Sequence, residues 1–300
     1  MTASNNGPRI NLVRITHVFY THREIDAAHQ FMLDFGFQKV KRVGKDIYYR
    51  GTSSEPFIYC ARQGEEDAFR RATFVVESKS DLVAATKLPR ATWIYDLGDA
   101  PGDRRCVTFY NPIDEFLFHL IHRQKPNLSE KVLPQLPFNF INIQTFFKPT
   151  DKHRAGNRTQ RFAKGPAPVH KLGHFRMCVT DFTRSLEFYT THFNFKPSDL
   201  VHDSTERDIT AFLHLDRGRE FVDHHCFFLF EGPKSHVYHS SFETHDFDTQ
   251  VLGYDWLRSK GYENCWGVGR HIIGSQIFDY WFNPSRFIIE YYVDGDLVNN

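Results

Sequence analysis

Apolar residues along this 300-residue chain fall into two alternating periodicities. Short runs rich in Val, Ile, Phe and Tyr read as strands, and runs with apolar residues three and four apart read as helices. The alternation is clearest in the last third. Leu172–Val179 (LGHFRMCV) predicts a strand, Asp181 after Thr180 supplies a helix N-cap, and Phe182, Leu186, Tyr189 and Phe193 recur at helical spacing. Strand-like runs follow at 209–215 and 225–231. The order then returns with a strand over 237–244 and a helix opened by Asp246. That helix carries Val251, Tyr254, Trp256 and Leu257 and ends at Gly261. Strands over 276–282 and 287–293 flank an Asn283-Pro284 turn.

The first half follows the same plan more loosely. It predicts a strand over 12–20, a helix over 24–34 and strands near 37–42, 46–51 and 56–61. A strand over 73–77, a short helix near 79–86 and strands near 91–96, 105–110 and 116–121 come next. Phe109-Tyr-Asn-Pro112 before Phe116-Leu-Phe118 matches Trp281-Phe-Asn-Pro284 before Phe287-Ile-Ile289. Such internal repetition predicts an α+β fold of four βαβββ modules paired into two similar domains, each of two curved sheets around a cavity. The expected boundaries are 9–125, a linker over 126–168 and 169–300. The linker collects prolines and basic residues, and its basic stretch, 148–168, reads as a surface loop that could lie over the mouth of a site.

Composition narrows the function. Hydrophobic residues make up 41% and charged residues 24%, the values of an ordinary globular chain. With 37 Lys+Arg against 36 Asp+Glu, no electrostatic feature points to nucleic acid or an anionic membrane. No run approaches the roughly 20 apolar residues of a membrane helix, and residues 1–9 lack the apolar region of a signal peptide. Five widely spaced cysteines without a Cys-x-x-Cys pair suggest neither a disulfide framework nor a thiolate zinc site, so a reduced cytoplasmic setting is expected. The excess lies in 30 Phe and 17 His, which supply large buried area and many possible metal ligands.

Position singles out a few of these histidines. His174 lies seven residues before Asp181, and His239 seven before Asp246, each on a strand that leads into a helix. Strand alternation places His174, Arg176 and Cys178 on one face, and His239, Ser241 and Glu243 on one face of theirs. Glu290 interrupts the apolar run from Phe287 to Val293, where a carboxylate is costly to bury unless paired or metal-bound. Any one of these alone is more often a surface or hydrogen-bonded residue. The repeated position turns the reading toward a metal. Two imidazoles and one carboxylate form the facial set of non-haem Fe(II), with open positions for substrate and O2; Mn(II) suits the same donors.

Several stretches resemble a known family. Leu172-Gly-His-Phe-Arg-Met-Cys-Val179, His239-Ser-Ser-Phe-Glu243 with Asp246-Phe-Asp248, Trp266-Gly-Val-Gly-Arg-His271, Gly274-Ser-Gln-Ile-Phe-Asp-Tyr280 and Glu290-Tyr-Tyr-Val-Asp-Gly-Asp296 resemble the type I extradiol ring-cleavage dioxygenases, catechol 2,3-dioxygenase-like members of the vicinal oxygen chelate superfamily. The resemblance covers about 169–300, and the first half only in repeat architecture. It implies two glyoxalase/extradiol-dioxygenase-type domains with the metal in the second. His174, His239 and Glu290 fall on its metal ligands. His225 falls on its acid/base histidine, with His224 as the alternative and His225 favoured by the Cys-Phe-Phe-Leu that follows. His271 and Tyr280 fall on the pair that hydrogen-bonds the substrate hydroxyls.

The resemblance further implies Fe(II), O2 as co-substrate, a small aromatic diol opened beside its two hydroxyls, and a homo-oligomer. The first half is expected to lack metal: His17 matches His174, Arg71 stands where His239 would be, and His119 lies near the place of Glu290 with one extra residue before it. Two alternatives remain: a metal-dependent isomerase, lyase or hydrolase of the same fold in secondary metabolism, and a metal-free aromatic-binding protein.

Overall fold

The computed structural model describes residues 9–102, 105–122 and 163–299. Most of the linker expected over 126–168 lies outside these residues, and 163–168 carry neither helix nor strand. The first half comprises β1 (Leu12–His22), α1 (Ile25–Asp34), β2 (Gln38–Val43), β3 (Asp46–Arg50), β4 (Tyr59–Gln63), β5 (Ala68–Val76), α2 (Lys79–Ala85), β6 (Tyr95–Asp96), β7 (Arg105–Tyr110) and β8 (Leu117–His122). The second comprises β9 (Leu172–Val179), α3 (Phe182–His192), β10 (Phe195–His202), β11 (Asp208–Leu215), β12 (Val222–Asp223), β13 (Phe227–Glu231), β14 (His236–Glu243), α4 (Phe247–Ser259), β15 (Asn264–Arg270), β16 (Ile277–Phe282), β17 (Ile288–Val293) and β18 (Leu297–Val298).

Four βαβββ modules are therefore present, paired as the repeats predict. Each half is one eight-stranded sheet rather than two separate ones. The orders are β2-β3-β4-β1-β5-β8-β7-β6 and β10-β11-β13-β9-β14-β17-β16-β15, and β12 pairs only with β18. Antiparallel pairing of β1 with β5, and of β9 with β14, joins the two modules of each half at their first strands. Besides the two-residue strands β12 and β18, two longer strands escaped the pattern. β10 contains Pro197 and four polar residues, and β15 contains two glycines. Both are edge strands, where one side needs no ladder partner and polar or Pro residues are tolerated.

Local chemistry explains the helix ends. Asp181 Oδ1 accepts from the Arg184 amide at 3.0 Å, and Asp246 Oδ1 from the Thr249 amide at 2.7 Å. Each cap is worth about 1 kcal/mol. One apolar core runs through both halves. Phe35 stacks on Tyr291 at 3.8 Å between centroids, Phe74 and Phe118 approach Phe175, and Phe118 meets Phe227. Burying each such ring contributes roughly 1.5–3 kcal/mol. The Phe excess thus serves mainly this junction. Because strand faces alternate, the neighbours His174 and Phe228 point the other way, into the hollow of the second sheet.

Candidate active site

That hollow is a cavity of about 540 Å³, within the usual range for small-molecule sites. Four strands bring the candidate residues to it. The register sets His174 on β9 opposite Ser241 on β14, Ser241 beside Glu290 on β17, and Glu290 opposite Tyr280 on β16. His239 sits two residues from Ser241 on β14 and points to the same face.

His174, His239 and Glu290 are fully buried, and their donor atoms lie within 4.8 Å of one another. His174 Nε2 is 3.2 Å and His239 Nε2 3.4 Å from Glu290 Oε2, which also accepts from Ser241 Oγ. Burial would raise the Glu290 carboxyl, but hydrogen bonding and charge from His174, then His239 and Ser241, hold it down to about 2. Burial pushes His239 well below the ordinary imidazole range despite Glu290, so it is neutral at pH 7. Both ring nitrogens of His239, Nδ1 of His174 and Oε1 of Glu290 are buried without a hydrogen-bond partner among the described residues. A buried carboxylate beside imidazole nitrogens that lack partners suits a divalent cation, which would satisfy several of these atoms at once. Gly173 makes room for this packing: a Cβ there would come within 1.9 Å of the Tyr292 hydroxyl.

His225 also lines the cavity, its ring 4.3 Å from that of His174. His224 does not line it; it lies behind, bridging His225 to Asp199. Asp199 Oδ2 accepts from His224 Nε2 at 2.7 Å, which leaves His224 Nδ1 to accept from His225 Nδ1 at 3.0 Å. In this network a neutral His224, donating to Asp199, accepts at Nδ1 and leaves His225 Nε2 free to take a proton. Burial and then the surrounding imidazoles push His225 well below its usual range, so its base form prevails at pH 7. Gly274, at φ +71°, packs against His224 in a conformation that favours glycine.

On the far wall, His271 Nε2 and the Tyr280 hydroxyl are 2.9 Å apart. Burial, then Glu290, raises the Tyr280 phenol well above its usual value, and burial lowers His271. Each of the six candidate residues lines the cavity or, for Glu290, lies directly behind it. The walls are aromatic. Phe228 stacks on Phe212 at 4.7 Å, and Trp266 lies over Phe278 at 4.3 Å. These wall residues were not legible from sequence, because a cavity ring and a core ring have the same local pattern. Nor was the Asp199–His224 link, since Asp199 belongs to the unpredicted strand β10.

Residues 171–291 match the family model for the Glyoxalase/Bleomycin resistance protein/Dioxygenase superfamily. The chain is 30% identical over 249 residues to biphenyl-2,3-diol 1,2-dioxygenase of Paraburkholderia xenovorans, covering 79% of this chain and 73% of that one. It is 28% identical over 128 residues to metapyrocatechase 2 of Cupriavidus necator, a match spanning 43% of this chain and 38% of that relative's length. Among solved structures, homoprotocatechuate 2,3-dioxygenase from Brevibacterium fuscum, in complex with 3,4-dihydroxyphenylacetate, superposes with a TM-score of 0.76 at 16% identity, covering 100% of this chain and 86% of that one. The chain belongs to the Glyoxalase/Bleomycin resistance protein/Dioxygenase superfamily, within its extradiol dioxygenase family.

Proposed function

We propose that the protein is an Fe(II)-dependent extradiol dioxygenase of the catechol 2,3-dioxygenase type, which inserts both atoms of O2 and opens a catechol-type ring beside its two hydroxyls. The observation that carries this reading is the buried His174–His239–Glu290 cluster at the base of a cavity that also holds His225, His271 and Tyr280. In this reading the first three residues hold the metal. Bound Fe(II) would supply a redox-active Lewis acid that lowers the pKa of a substrate hydroxyl and brings diol and O2 side by side.

The protein's own groups handle orientation and protons. Tyr280 stays protonated, so its hydroxyl donates to an ionised substrate oxygen, while neutral His271 takes up the proton that the diol loses. His225 Nε2 acts on the oxygen side of the site, accepting and returning a proton. Its Nδ1 is held by His224, and Asp199 anchors His224 in turn. Phe212, Phe228, Phe278 and Trp266 pack around a flat ring and exclude water. The substrate in this reading is a small aromatic diol, the setting is aromatic catabolism in the cytoplasm, and the protein is a homo-oligomer.

Oxygen uptake by anaerobically purified, Fe(II)-loaded protein over a panel of catechols tests the proposal. A stoichiometric uptake with a yellow ring-opened product is expected. No uptake by a metal-loaded sample on any catechol would move the reading to a non-oxygenase of the same fold. Failure to retain metal would move it to a binding protein.

A further inference from the structure

The cavity contains two arginines with opposite surroundings. Arg270 is satisfied: it donates to Asp294 Oδ2 at 2.7 Å and to the Ser275 carbonyl at 2.6 Å. Arg176 has no such partner. Its guanidinium lies 4.1 Å over Phe230, 4.6 Å over Tyr238 and 5.0 Å over Phe228, its buried Nε has no acceptor, and no carboxylate pairs with it among the described residues. Glu290 is near enough to influence it but is engaged by His174, His239 and Ser241. Arg176 follows His174 by two residues on β9, about 7 Å along the strand, and sits opposite His239 in the register. Both residues line the cavity.

Resting on the proposed function, we infer that Arg176 is an anion subsite, and that the substrate is a catechol carrying an acidic group, a carboxylate on a short arm, beside the diol. Three rings hold the guanidinium by cation–π contact and restrict its motion, so little ordering remains to be lost when an anion arrives. Stacking leaves the edge of the guanidinium plane for hydrogen bonds, and a carboxylate matches that edge with two parallel acceptors. A low-dielectric aromatic wall strengthens the attraction. Stacking by itself is tolerated elsewhere in the fold: Arg71 lies 4.2 Å over Phe19 in the first sheet. Arg176 differs in lining a cavity beside the candidate metal ligands. A neutral catechol would leave its charge unmatched.

Anaerobic calorimetry on the Fe(II)-loaded protein, comparing 3,4-dihydroxyphenylacetate with its neutral amide, reads this directly. The expected ratio of dissociation constants is at least tenfold in favour of the acid, shrinking as salt rises. In Arg176→Met the ratio should fall to near one, and Arg176→Lys should keep part of it. A wild-type ratio below threefold, or a ratio that survives in Arg176→Met, overturns the subsite; the wild-type comparison needs no variant and stands if Arg176→Met does not fold. Oxygen uptake run alongside separates the two ideas. Charge-dependent binding without uptake on either ligand supports the subsite and removes the dioxygenase reading. Uptake that is blind to the acid keeps the dioxygenase reading and removes the subsite.

Discussion

The two eight-stranded sheets have the same strand order and the same register, yet among the described residues only one holds a candidate metal cluster. Position by position, His17 corresponds to His174, Thr73 to Ser241, Thr108 to Tyr280, Arg71 to His239 and His119 to Glu290. The extra residue before His119 is absorbed in the turn at 112–115, where Glu115 has φ +58°, and does not shift the register. Phe57 occupies the position of His225 and lies 4.1 Å from the His17 ring, much as His225 lies 4.3 Å from His174. In the first sheet Phe19, Tyr48 and Phe57 pack into a cluster of their own. One backbone frame thus carries or lacks the candidate cluster according to a few side chains: the carboxylate, the second imidazole and the replacement of a polar ring by an apolar one.

The sharpest way to break this comparison is to remove the carboxylate. Glu290→Gln should lower metal affinity by more than about 100-fold, because changes merely supporting a ligand already cost 10–100-fold. His119→Gln at the matching position should leave metal content at the wild-type level. Metal analysis after dialysis checks both, and equal losses would show that the first sheet holds metal too. Next in size, His225→Ala should keep metal and catechol binding but lower turnover by about 10²–10⁴-fold. Loss of metal instead would argue against an acid/base role.

A graft asks whether ligands suffice. Arg71→His with His119→Glu writes the second half's donors into the first, yet metal content should stay at one per chain, because Phe57 fills the space beside His17. Adding Phe57→Ala should raise it toward two. A second equivalent without that change would mean that space does not limit the first sheet.

The smallest effect concerns stability. Asp279 is buried on the core side of β16, where Val107 stands in the first sheet. Burial raises its carboxyl to about 7 against hydrogen bonds from Trp281 and Asn264. The folded chain therefore keeps a proton that the unfolded chain releases near pH 4. Stability from this group falls as pH rises from about 4 to 7 and is flat above, by at most about 4 kcal/mol. Urea unfolding at pH 5 and 7.5 should show a shallower fall for Asp279→Asn, which keeps one of the two hydrogen bonds. An identical fall in both proteins would place the titration elsewhere.

Much of the architecture was legible because it rests on local chemistry. Asp181 and Asp246 cap helices where expected, β9 runs over the predicted residues, and the repeat of His174 and His239 ahead of those caps pointed to one cluster. The edge strands β10 and β15 were not legible, since an edge carries no burial signal on its free side. Nor was the fusion of two modules into each sheet, because strand pairing is a long-range choice that no single segment records. By itself the sequence determined the module order, the helix ends, the strand faces and the residue types available at His174, His239 and Glu290. Tertiary structure alone decided that four strands align these donors, that Asp199 reaches His225 through His224, and that Arg176 meets three rings and, among the described residues, no carboxylate. Those facts depend on which residues distant in sequence become neighbours, and pairing register and packing fix that only when the whole chain is folded.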